Sequence, residues 1–107
     1  MSFREEKLHF HLKDLAGDFL ALHSNRTSLI TVTNIILSSD LKQVRILLSV
    51  LPKESERVAI LFANRLRPEF KEYVKKHSRM RILPQVTFAP DRGEENRQRI
   101  DELLETA

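Results

Sequence analysis

The chain has 107 residues, 41% hydrophobic and 31% charged, which fits one soluble domain with a modest core. It has no cysteine, so disulfides and thiolate metal sites are excluded, and its 18 Lys and Arg against 15 Asp and Glu leave a net charge of only +3. No apolar run approaches the ~18 residues of a membrane span. The amino-terminal stretch FREEKLHFHLKD lacks the apolar centre of a signal peptide, so a cytoplasmic location is expected.

In chain order, Phe3 to His23 reads as an amphipathic helix. Leu8, Leu12, Leu15, Phe19 and Leu22 step by three and four, and Ala16 widens the stripe. Ser24 to Ser28 is loop chemistry. Leu29 to Leu51 reads as a β-hairpin. Its second half, Gln43 to Leu51, alternates strictly, with Val44, Ile46, Leu48 and Val50 on one face. Its first half, Leu29 to Leu37, is β-branched, but the alternation slips. Ile30 and Val32 share one parity and Ile35 and Leu37 the other, so a bulge is expected near Thr33 and Asn34. Ser38 to Lys42 is the turn between the halves.

Pro52 to Ser55 breaks the chain, with Ser55 placed to cap a second helix from about Glu56. Val58, Leu61, Phe62 and Leu66 are expected to face inward. Pro68 removes a helical donor and clashes with the preceding turn, which predicts a kink near Arg67. Pro68 then opens a further helix at its first position, with Phe70, Tyr73 and Val74 inward, ending near His77. Met80 to Ala89 alternates again, with Met80, Ile82, Pro84, Val86 and Phe88 on one face. Pro84 cannot donate to a ladder, which predicts an edge strand, parallel to Gln43–Leu51 if the two are neighbours. Residues 91–107 are expected to form a turn at Asp91–Gly93 and a short acidic tail helix, with Ile100, Leu103 and Leu104 against the body. The whole reads as a single α+β domain over residues 1–107, in the order α-β-β-α-(kink)-α-β. Its helices cover one face of a three-stranded sheet. The other face, with Arg45 and Arg81, is expected to be solvated.

The chemistry-bearing residues are few. His9 and His11 are two apart and point to different sides of a helix. With His23 they read as surface histidines and not as a metal site. Asp14 and Asp18, and Glu94 and Glu95, show no sign of converging in a cleft as acid–base catalysis requires. Two glycines in the whole chain leave no glycine-rich phosphate loop, and no nucleophile motif is present. No enzyme activity, cofactor, metal or small-molecule substrate is expected.

The basic run is more informative. Arg65, Arg67, Lys71, Lys75, Lys76, Arg79 and Arg81 are opposed only by Glu69 and Glu72, while the acids cluster after Asp91. Lys71 and Lys75 are i,i+4 and share one surface. Such a run is either a solvated helix face or a surface that neutralises nucleic-acid phosphates, and the residues alone leave both open. A regulatory α+β module whose basic surface meets an acidic protein is the alternative from another class.

Two stretches carry a resemblance. One runs from Ser28-Leu29-Ile30-Thr31-Val32-Thr33 through Ser38-Ser39-Asp40-Leu41 to Ser49-Val50-Leu51. The other is Arg79, Arg81, Pro84, Val86, Thr87 and Phe88. With the ending Arg99 to Leu104, they resemble the ribosome-binding factor A family over nearly the whole chain. The resemblance implies a type II KH-like fold and a monomer that is not an enzyme. It implies binding to the small ribosomal subunit and its rRNA, in support of late assembly and rRNA maturation. In that family an Ala-x-Gly kink replaces the Gly-x-x-Gly loop of RNA-binding KH domains. Here the corresponding place reads Leu66-Arg67-Pro68, with proline making the bend. The implied RNA-binding residues are Arg65, Arg67, Lys71, Lys75, Lys76, Arg79 and Arg81.

Overall fold

A computed structural model describes residues 3–24, 27–80 and 83–93. The alternating segments form the expected hairpin. Strand β1 (Leu29–Leu37) pairs antiparallel with β2 (Gln43–Leu51), and the register shifts between Val32 and Asn34. That shift is the bulge the broken alternation called for. It returns Ile35 to the inner face, where it is buried beside Val44, Ile46, Leu48 and Val50. The bulge also has a partner. The Thr33 hydroxyl lies 3.2 Å from the Leu47 carbonyl and 2.5 Å from the Asp91 carboxylate, and the Asp91 N–H donates to the Leu48 carbonyl at 2.9 Å. The two ends of the sheet are thus joined across its central strand.

The third strand, β3 (Gln85–Pro90), runs parallel to β2 and gives the order β1-β2-β3, with β3 at an edge. It is shorter than the sequence pattern predicts. Pro84 has no N–H to donate, so the first backbone bond comes from Gln85, to the Lys42 carbonyl at 2.9 Å. Met80 and Leu83 pack on the core without joining the ladder, and Ile82 lies outside the described residues.

Three helices cover one face of this mixed sheet. Helix α1 (Phe3–Leu22) buries Leu12, Leu15, Ala16, Phe19 and Leu20. Its buried stripe ends two residues earlier than expected, since Leu22 is 71% exposed and Leu20 is the last buried residue. A 3-10 turn (Lys53–Ser55) leads into α2 (Glu56–Arg65), and Ser55 occupies the cap position without a side-chain bond to the helix. The inward face of α2 differs from the sequence reading. Val58 and Leu61 are exposed, at 69% and 54%, while Ala59 and Ala63 are buried with Phe62 and Leu66 partly covered. Small side chains fill the fully buried positions of this helix, and Val58 and Leu61 are turned outward. Helix α3 (Arg67–His77) buries Phe70 and Val74 with Tyr73 half-buried, as the pattern predicts. Phe19, Phe70 and Phe88 stack through the core, with ring centroids 5.2 and 5.8 Å apart. This joins α1, α3 and β3. The Asp91–Gly93 turn is closed by the Gly93 N–H donating to Asp91 Oδ1. The tail helix expected beyond it lies outside the described residues.

Candidate nucleic-acid interface

The break between α2 and α3 falls at Leu66, one residue before the expected Arg67. The Leu66 N–H donates to the Ala63 carbonyl in a tight final turn, and α3 restarts at once with the Phe70 N–H on the Leu66 carbonyl. Pro68 sits in the first turn of α3, where a missing donor costs no helical bond. Ala63 is fully buried just ahead of the break.

Asn64 fixes the break to the sheet. Its Nδ2 donates to the Phe88 carbonyl at 3.0 Å, and its Oδ1 accepts the Phe88 N–H at 2.9 Å. One side-chain amide therefore satisfies both outward backbone groups of an edge-strand residue. The Asn64 carbonyl in turn accepts the Arg67 Nε–H at 2.9 Å, which anchors that guanidinium by one of its five donors.

These contacts leave an open groove between the helix break and the start of β3. Arg65, Arg67, Pro68 and Lys71 form one wall, and Leu83, Pro84 and Val86 give it apolar surface. Lys42, from the hairpin turn, lines the same groove. The basic run of the sequence is thus divided. Arg65, Arg67 and Lys71 are exposed and share the groove. Lys75, Lys76 and Arg79 are exposed but do not line it. At roughly 100° per residue, Lys75 lies about 40° around α3 from Lys71, and Lys76 about 140°. Lys76 therefore faces away with Glu69. Lys75 lies 3.9 Å from Glu72, a solvent-exposed pair that is screened and holds neither side chain firmly. Arg81 lies outside the described residues. Sequence reasoning missed Lys42 and Asn64. The first is remote from the basic run. The second was signalled only by a polar residue beside the buried Ala63.

Among the described residues no group of three His, Asp or Glu side chains is gathered as metal ligands, and no helix is long and apolar enough to cross a membrane. The groove gathers four basic side chains, Lys42, Arg65, Arg67 and Lys71, in one lining. Such a surface suits a phosphate backbone.

Comparison with known proteins gives one result throughout. The family model described as ribosome-binding factor A matches residues 4–104. The factor of Chlorobium limicola is 33% identical over 110 residues, covering 97% of this chain and 91% of that protein. The factor of Thermodesulfovibrio yellowstonii is 28% identical, covering 94% and 87%. Among structures, the crystal structure of ribosome-binding factor A from Thermus thermophilus aligns with a TM-score of 0.68 at 26% identity, covering 79% of this chain and 93% of that one. A homology model of the Thermus factor, fitted into a cryo-EM map of a 30S complex, aligns with a TM-score of 0.62 at 26% identity, covering 76% and 88%. With its α-β-β-α-α-β order and a family-model match across residues 4–104, the chain belongs to the ribosome-binding factor A family.

Proposed function

We propose that this chain is an assembly factor that binds the small ribosomal subunit through its rRNA and assists late assembly and rRNA maturation. The observation that carries this reading is the groove at the α2–α3 break. There Arg65, Arg67 and Lys71 line one open groove in a chain of this family. The relative fitted into a 30S complex supports the choice of partner. The role is positional. The protein occupies immature rRNA and leaves when the subunit is ready, without cofactor or covalent chemistry. Arg65, Arg67 and Lys71 are the main phosphate contacts, with Lys75 and Arg79 as secondary ones. Binding of this kind releases counterions and weakens steeply with salt.

The test is co-sedimentation of the full chain with purified small subunits through a sucrose gradient. The protein is expected in the subunit fractions at low salt and at the top of the gradient at high salt. Arg67→Ala combined with Lys71→Ala should shift it to the top at a lower salt concentration. A protein that stays at the top even at low salt, or that binds without regard to salt, contradicts the reading. The second outcome would favour the protein-interaction alternative.

A further inference from the structure

We infer that the β1–β2 turn is a built part of the RNA interface, with Lys42 as a phosphate contact and Asp40 as the residue that positions it. The inference rests on the reading that the groove binds RNA, and extends it to a segment more than 20 residues away in sequence from the basic run.

Lys42 is exposed and lines the same groove as Arg65, Arg67 and Lys71. Its backbone is held from both sides. Its N–H donates to Asp40 Oδ1 at 3.0 Å, and its carbonyl accepts the Gln85 N–H at 2.9 Å, the first bond of β3. The turn behind it is closed by side chains. The Ser38 hydroxyl donates to Asp40 Oδ1 at 2.6 Å, the Gln43 N–H donates to Ser38 Oγ at 3.0 Å, and the Leu41 N–H donates to the Ser38 carbonyl at 3.0 Å. Leu41 adopts a positive φ of 60°, a conformation that non-glycine residues avoid by roughly 1–2 kcal/mol. A turn with no task beyond reversing the chain would place Gly or Asn there. The Asp40 carboxylate accepts both the Ser38 hydroxyl and the Lys42 amide, so it anchors the residue next to Leu41 and aims the chain at the groove.

The arrangement gives a counterintuitive expectation. By charge alone, removing Asp40 from an RNA-facing turn relieves repulsion and tightens binding. If Asp40 positions Lys42, its removal weakens binding although the protein becomes more positive.

The experiment measures affinity of the dye-labelled full chain for purified small subunits by fluorescence anisotropy over a salt series. The variants are Arg67→Ala, Lys42→Ala, Lys42→Arg and Asp40→Ala, with urea melts to confirm that each is folded. Loss of one phosphate contact flattens the slope of log affinity against log salt by about 0.7–0.9, or roughly five- to eightfold in affinity at 0.1 M salt. Lys42→Ala is expected to show that change, Lys42→Arg to retain wild-type slope, and Asp40→Ala to weaken binding at least twofold. Lys42→Ala with an unchanged slope, while Arg67→Ala flattens it, places the turn outside the interface and overturns the inference alone. An unchanged slope in both overturns the groove reading and this inference with it. Tighter binding by Asp40→Ala removes its positioning role.

Discussion

Asn64 allows the link between the helix break and the sheet to be tested by a single side chain. Asn64→Ala deletes two hydrogen bonds to the Phe88 backbone. Each is worth about 1 kcal/mol net, for a total of about 2 kcal/mol. Alanine is the better helix former, which returns roughly 0.6 kcal/mol. Asn64 is only half-buried, so water can reach part of the freed backbone. The expected loss is therefore about 1–1.5 kcal/mol, read as a lower urea midpoint at constant m. Asn64→Asp is the sharper variant. It is nearly isosteric and keeps the acceptor for the Phe88 N–H, but sets a second oxygen against the Phe88 carbonyl. It should cost at least about 1 kcal/mol at neutral pH, far more than an inert half-exposed position would show. Hydrogen exchange gives an independent readout, since the Phe88 amide should lose protection in Asn64→Ala before its neighbours do. If both variants stay within about 0.5 kcal/mol of the parent and the Phe88 amide stays protected, the break is held by packing alone. The account of Asn64 then fails.

Three further expectations follow from the packing and the turn. Ile46→Ala, at a fully buried position of β2, should cost about 2–5 kcal/mol in denaturant melts, and Arg45→Ala on the open face well under 1 kcal/mol. Equal effects would invalidate the face assignment. Ala63→Leu should cost about 1–3 kcal/mol by overpacking a fully buried position of α2, whereas Val58→Ala on its exposed side should stay within about 0.5 kcal/mol. The Asp40 carboxyl is held below its ordinary value of 3.8, first by the Ser38 hydroxyl and then by the Lys42 amide. Because the folded-state value is the lower one, the stabilisation is complete above the ordinary value and is lost as pH falls through the folded one. Acid titration of the Lys42 amide resonance by NMR should therefore report a midpoint below 3.8, and no such midpoint in Asp40→Asn.

Much of the fold is legible in the sequence because its strands announce their faces. The slip between Val32 and Ile35 located the bulge without any tertiary information, and Pro84 marked an edge strand. Pro68 located the helix break to within a residue. The inward face of α2 is not legible in the sequence, because its buried positions are held by the small residues Ala59 and Ala63 and not by large apolar ones. Nothing in Val58 or Leu61 marks them as exposed. Met80 matches the strand period, but it lies outside the ladder, whose first described bond comes from Gln85, since strand pairing needs donors that periodicity does not record. At the candidate site the basic run was plain, yet its division was not used. Lys76 turns away from Lys71 by simple helical rotation. Lys42 enters the groove only through the parallel pairing of β2 with β3, which places Gln43 opposite Gln85. A residue brought in by strand register is invisible to any scan for local charge.

The central claim is that the face built by the α2–α3 break meets the rRNA of the small subunit while the open sheet face does not. The chain has no cysteine, so single cysteines carry a tethered iron probe without background sites. Glu72→Cys places the probe on the exposed side of α3, and Ser49→Cys places it on the open face of β2. In complexes with purified small subunits, hydroxyl-radical cleavage of the rRNA should be strong and confined to a few sites from position 72, and weak from position 49. Strong, localised cleavage from position 49 with none from position 72 would contradict the account.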